Sequence, residues 1–256
     1  MRLRAALVTV ALLAACGGAP SSPEVDAPIG PPPPPPIDGA VAADAAIDAP
    51  AAQGFGTLSG MCGALEAMDL TGTAPRVLRV DFDFARAYMD PADRPLLTPG
   101  GVKIAETPNA GGSSGRSEIF AFEELARCED AALLKTETEI VYDTNSKKTD
   151  MLIEVGGHKI GVSVTRAFAF PLGTPYTLQQ ATSLVSRKLA DIPLATASVS
   201  AADRWEKQFL AIMAIDDQAA DTMAQAWSML DPAVQGDTII VLTTTTGADT
   251  FIYTNQ

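Results

Sequence analysis

The stretch Asp150-Met151-Leu152-Ile153-Glu154-Val155-Gly156-Gly157-His158-Lys159-Ile160-Gly161-Val162-Ser163-Val164-Thr165 decides the fold. Two runs rich in apolar and β-branched residues flank a Gly-Gly pair, a strong signal for a two-residue hairpin. Such a turn pairs Val155 with His158 and Glu154 with Lys159, and counting outward sets Asp150 opposite Ser163. Side chains alternate along a strand, so Asp150, Leu152, Glu154, Lys159, Gly161, Ser163 and Thr165 share one face. Met151, Ile153, Ile160, Val162 and Val164 share the other. One face is apolar, and the other is largely polar with two carboxylates.

Outward from the hairpin, the periodicity alternates between helix and strand. Upstream, Ser117 is placed to cap a helix over 117–134, with Ile119, Phe122, Leu125, Ala126 and Leu133 on one side. A short strand over 137–142 separates it from the hairpin. Downstream, Thr177 and Gln180 form a capping box for a helix over 177–190, whose stripe is Leu178, Ala181, Val185, Leu189 and Ile192. A strand follows over 208–215. Asp216 then caps a helix carrying Ala220, Met223, Trp227 and Leu230, and strands follow over 237–244 and 250–253. Before the first helix, 77–84 and 101–105 read as strands and 109–115 as a flexible loop. The order predicts an α/β domain, a mixed sheet flanked by helices.

From Ser117 to Ile215 the order is αβββαβ, with a helix and a strand added. In that order and in its hairpin acid, the chain resembles the PD-(D/E)XK nuclease-like superfamily. The resemblance covers about 100 residues, and implies an acid on the first helix, an Asp at the start of the second strand and Glu-x-Lys on the third. The helix acid maps to Glu118, with Glu123 or Glu124 as alternatives, and the strand Asp maps to Asp150. The Glu-x-Lys positions hold Ser163 and Thr165. The resemblance implies a divalent metal on the acids and a lysine on the attacking water, but two neutral hydroxyls stand where Glu and Lys belong. Hydroxyls replace a hard-cation carboxylate poorly. Were the site active, Glu118 and Asp150 would hold the metal with Glu154 assisting. Lys159, four residues from Ser163 or roughly 13 Å, is expected to pair with Glu154.

The start of the chain has its own logic. Arg2 and Arg4 precede an apolar run from Ala5 to Leu13, and Leu13-Ala14-Ala15-Cys16 resembles the lipobox of bacterial lipoproteins. This implies a signal peptide over 1–15, cleavage before Cys16, lipid on its sulfur, and a place in the bacterial cell envelope, anchored to a membrane outside the cytoplasm. Residues 16–53 read as a disordered tether: they hold ten of the nineteen prolines, six of them consecutive from Pro31 to Pro36, and lack an apolar face. That leaves 54–256 as a single domain. The whole chain has 18 Lys and Arg against 31 Asp and Glu, and 54–256 alone has 16 against 26. A surface of that sign repels phosphate backbones, so no nucleic-acid partner is expected.

Cys62 and Cys128 are left in a presumed oxidising compartment, where a disulfide is expected; two buried free thiols are the alternative. With one His, the chain shows no zinc-type spacing, and neither a metal nor a cofactor is expected. Gly111-Gly112-Ser113-Ser114-Gly115 formally contains Gly-x-Ser-x-Gly, but it is not tight against a strand, and His158 is the only base on offer. Its blander use is in turns and capping, or as an anion-binding helix start. Trp205 and Trp227 read as core residues, and Glu123, Glu124, Glu129 and Asp130 as a solvated helix face. The expected function is that of a lipid-anchored, non-catalytic domain in a binding or envelope role, its protein or small-molecule partner open. The alternative is a metal-dependent hydrolase using Glu118 and Asp150.

Overall fold

The computed structural model of the chain describes residues 54–108 and 114–254. Residues 1–53, with the signal, Cys16 and the tether, lie outside them, as does most of the 109–115 loop. The elements are β1 (Thr57–Gly60), α1 (Ala67–Thr71), β2 (Arg76–Phe84), a 3₁₀ turn (Arg94–Leu96), α2 (Pro99–Glu106), α3 (Gly115–Cys128), β3 (Ala132–Thr136), β4 (Met151–Val155) and β5 (His158–Ala167). They continue as α4 (Leu178–Ser198), β6 (Lys207–Ala214), α5 (Asp217–Ser228), α6 (Pro232–Gln235), β7 (Ile239–Gly247) and α7 (Thr250–Thr254).

The hairpin forms in its expected register, Val155 opposite His158 and Met151 opposite Val162. Gly156 and Gly157 have φ of 58° and 84°, the left-handed pair that a tight hairpin turn requires. From β5 the sheet grows by parallel pairing to β6, β7 and β2, giving the order β1-β2-β7-β6-β5-β4-β3. This is a seven-stranded mixed sheet. All of β6 is buried, as expected of a strand covered on both faces.

The alternation of side chains sorts two cores. On one face Phe82, Ile153, Val162, Phe209 and Val241 meet α3 and α7 through Ile119, Phe120, Phe122 and Phe251. On the other, Leu210, Ile212, Ile240 and Leu242 meet α4 and α5 through Ala181, Val185, Met223 and Trp227. Thr177 and Gln180 form the capping box of α4, and Asp216 caps α5 by accepting from the Ala219 amide at 2.7 Å. Helix α4 runs past the expected end at 190 and carries Pro193 inside it. Trp205 and Trp227 are both buried. Cys62 and Cys128 form a disulfide that ties the loop after β1 to the end of α3. No helix among the described residues is long and apolar enough to cross a membrane.

Four expected elements are different. Residues 101–105 belong to α2, not to a strand. Thr98 caps this helix, its hydroxyl accepting from the Gly101 amide at 3.2 Å, and Pro99 occupies the first turn. The first core helix begins at Gly115, with Ser117 buried inside it rather than capping it, and ends at Cys128. Asp130 is left-handed at φ 52°, and the Ala131 amide returns to the Leu125 carbonyl at 3.2 Å, closing the helix. Leu133 therefore lies in β3, which occupies 132–136 instead of 137–142. Residues 250–253 form a helical turn. β7 is already paired on both sides, so a returning strand has no edge there, and Phe251, Ile252 and Tyr253 are buried by coiling back.

Candidate functional site

The polar face of the hairpin meets the middle of α4 beside Val164 in the second half of β5. Asp150 stands one residue before β4, its amide donating to the Val162 carbonyl at 3.0 Å. Its Oδ2 accepts from the Val164 amide at 2.6 Å. Lys188 of α4 donates through Nζ to the Val164 carbonyl at 3.0 Å, so acid and cation hold the two polar groups of one residue. Asp150 is half-buried, and its carboxyl is ringed by protein. Burial pushes its pKa up to about 7; Lys188 opposes the rise and Glu118 adds to it.

Glu118 is buried on the first turn of α3 and accepts from the Ser114 hydroxyl at 2.6 Å. Its charge acts on both Asp150 and Arg166, so the structure brings Glu118 within electrostatic reach of the hairpin acid. Ser163 is buried in a hydroxyl–amide cluster, 3.2 Å from the Thr149 hydroxyl, with Gln208 Nε2 donating to both at 3.0 and 3.4 Å. Thr165 is half-buried one step further along. Arg166 donates to the Ile252 and Tyr253 carbonyls at 3.0 and 3.4 Å and lies over the Phe168 ring. Burial lowers its pKa, while Tyr253 and Glu118 favour its charge.

Other sequence candidates fall elsewhere. Glu154 is exposed at the turn end of β4, four residues from Asp150, and is not part of this site. Lys159 is its cross-strand neighbour, but donates to the Ala202 carbonyl at 2.9 Å, so the expected ion pair is replaced by a backbone contact. His158 bonds Glu206 at 2.8 Å beside the turn. Residues 111–113 of the Gly-x-Ser-x-Gly stretch lie outside the described residues.

Of the four acids expected on a solvated helix face, Asp130 is exposed and Glu129 half-buried just past α3, but Glu123 and Glu124 are the most buried charges of the helix. Glu123 accepts from the Thr98 amide and hydroxyl at 2.8 and 2.6 Å, because α2 packs over it. Gly100 and Gly101 permit that approach: a Cβ on Gly101 would lie 2.1 Å from Glu123 Oε1. Glu124 accepts from Thr243 of β7 at 2.5 Å, and burial pushes its pKa up to about 8. Neither joins Asp150. The acid whose charge acts most on Asp150 is Glu118, with Glu137 next.

A divalent metal, as the nuclease resemblance implies, fits this donor set poorly. Two acids lie within reach of one another, and the other two family positions are hydroxyls. Among the described residues no group of three His, Cys, Asp or Glu is arranged to hold a metal ion. Lys188, Arg166, Thr149 and Gln208 were missed by sequence reasoning. Lys188 alone had a signal, as the polar neighbour of Leu189 at the edge of the α4 stripe.

Comparison with known proteins adds one similarity. The AAC-rich mRNA clone AAC4 protein of Dictyostelium discoideum is 35% identical over 160 residues, 60% of this chain and 23% of that protein. The chain thus matches less than a quarter of that relative's length. No family model matches the chain, and no solved structure matches it.

Proposed function

We propose that this is an exported protein, anchored in the bacterial cell envelope through lipid on Cys16, whose nuclease-like α/β domain binds a partner rather than cleaving a substrate. One observation carries the non-catalytic reading. The groups at the former chemical positions are engaged in holding the fold: Asp150 and Lys188 clamp Val164, while Ser163 is bonded to Thr149 and Gln208. A nucleophile-activating site instead keeps its acid and cation directed at substrate. The excess of acids over bases in 54–256 opposes a nucleic-acid substrate. Anchoring is supported by the Leu13-to-Cys16 run and by the proline-rich stretch after it, which would hold the domain off the membrane.

The alternative, a metal-dependent hydrolase working through Glu118 and Asp150, rests on the electrostatic coupling of those two acids. Incubating the full chain with DNA and RNA in the presence of Mg²⁺ or Mn²⁺ separates the readings. No cleavage is expected, and Asp150→Ala should remove none. Robust metal-dependent cleavage that disappears in Asp150→Ala overturns the binding reading.

A further inference from the structure

A cleft of about 400 Å³ lies beside the first turns of α4, where Arg166 and Phe168 leave the sheet. We propose that it binds a small organic oxyanion, a carboxylate or phosphate on an apolar body. Arg187, Arg166 and the Tyr176 hydroxyl would hold the oxyanion, and Phe168 and Leu184 would lie against the body. This rests on the binding reading above and names its ligand class.

The position is a favoured one. β2, β7, β6 and β5 run parallel, and the cleft opens past the carboxyl end of β5, where ligands of open α/β sheets commonly sit. Its volume suits a small molecule, for which sites of roughly 300–1,000 Å³ are usual. Leu184 and Arg187 project from successive turns of α4, so the helix supplies an apolar patch beside a cation.

Charge then selects the ligand. The domain has 26 acids and 16 bases, yet among the described residues the cleft is lined by two arginines and no acid. The arginines differ in state. Arg166 is fixed by the two α7 carbonyls and the Phe168 ring, and the Glu118 charge also acts on it. Arg187 is exposed and makes no ion pair or hydrogen bond among the described residues. One guanidinium is held in place in advance and the other is available to close on an anion.

Tyr176 supplies an independent observation. It is 5% exposed, and its hydroxyl is buried with no hydrogen-bond partner among the described residues. Buried tyrosine hydroxyls normally find one. Gln218 holds the residue in place, accepting from its amide at 3.3 Å and donating to its carbonyl at 2.8 Å. The Arg187 charge acts on the phenol, so hydroxyl and guanidinium lie near the same space. Burial pushes the phenol up to about 12, which keeps it a donor at neutral pH. An oxyanion would give that donor its missing acceptor.

Calorimetric titration of the full chain with phenyl phosphate, benzoate, inorganic phosphate and benzyl alcohol tests this. Phenyl phosphate and benzoate should bind with Kd of about 0.1–1 mM, inorganic phosphate more weakly and benzyl alcohol not at all. Arg187→Gln should weaken binding about tenfold or more. Tyr176→Phe should weaken it several-fold without lowering the melting temperature, which separates ligand contact from a structural role. Failure of both organic anions to bind, or unchanged affinity in Arg187→Gln, overturns the proposal. So does benzyl alcohol binding as tightly as benzoate. Metal-dependent cleavage lost in Asp150→Ala would sink the binding reading yet leave anion affinity here intact. Absence of both cleavage and anion binding would sink this proposal alone.

Discussion

Replacing Glu124 by glutamine should make the fold less sensitive to alkali. Glu124 is 1% exposed, with one oxygen bonded to Thr243 and the other without a partner. Burial raises its pKa from the ordinary 4.5 to about 8; the Thr243 bond opposes this, and Glu129 and Asp81 reinforce it. Below pH 4.5 folded and unfolded chains both hold the proton, and the group adds no pH dependence. Between 4.5 and about 8 the unfolded chain releases the proton while the fold retains it, so stability falls as pH rises. Above that range both states are ionised and the loss is complete. At about 1.4 kcal/mol per tenfold in proton affinity, the span sets an upper bound of about 5 kcal/mol. Asp150, raised to about 7 by burial, adds a fall of the same sign at lower pH, so Glu124 is the one of the two still titrating above neutrality. Urea unfolding followed by the fluorescence of buried Trp205 and Trp227, at about pH 5, 7 and 8.5, measures this. The wild-type chain should lose stability across the series. Glu124→Gln should lose less, with the gap between the two opening by several kcal/mol, the larger part between about pH 5 and 7 and the rest by about pH 8.5. Parallel curves for the two proteins would refute the reasoning.

Three other outcomes are expected. Replacing both Cys62 and Cys128 by alanine opens a link spanning 66 residues of sequence and should cost about 4 kcal/mol in the chain-entropy picture, read as a lower urea midpoint. Gly101→Ala would drive a methyl against Glu123 Oε1 and disturb its two bonds to Thr98; a loss of about 2 kcal/mol is expected by the same titration. Cys16→Ala should release the protein from membranes or stall its processing, as seen by fractionation, and a variant cleaved normally yet still membrane-bound would end the lipoprotein reading.

What the residues disclosed in advance was local. The Gly156-Gly157 turn, the Thr177–Gln180 box and the Asp216 cap each depend on neighbours within a few positions, and all three are present. The segments at 101–105 and 250–253 are too short for periodicity to choose between helix and strand. The choice depends on whether a sheet edge is free, and that is known only once β7 is seen paired on both sides. Glu123 and Glu124 were assigned to solvent by residue type. Their burial depends on where α2 lands, and the clue, two glycines at 100 and 101, concerns a helix not recognised there. At the candidate site, Asp150 and Ser163 followed from hairpin arithmetic. Lys188, Arg166 and Gln208 arrive from elements whose placement is set by the whole sheet.

The pairing of β2 with β7 joins Arg76 to Ile239 and so bridges most of the domain's length. β2 also carries the edge strand β1 and, through Phe82 and Phe84, much of the aromatic packing around Phe120. A chain emerging amino-terminus first from a ribosome cannot seat these two strands until β7, more than 150 residues after β2, is out. Until then they wait beside an unfinished sheet, and contacts so distant in sequence are slow to form. The connectivity therefore acts as a timer that postpones consolidation of the sheet's middle until β7 arrives.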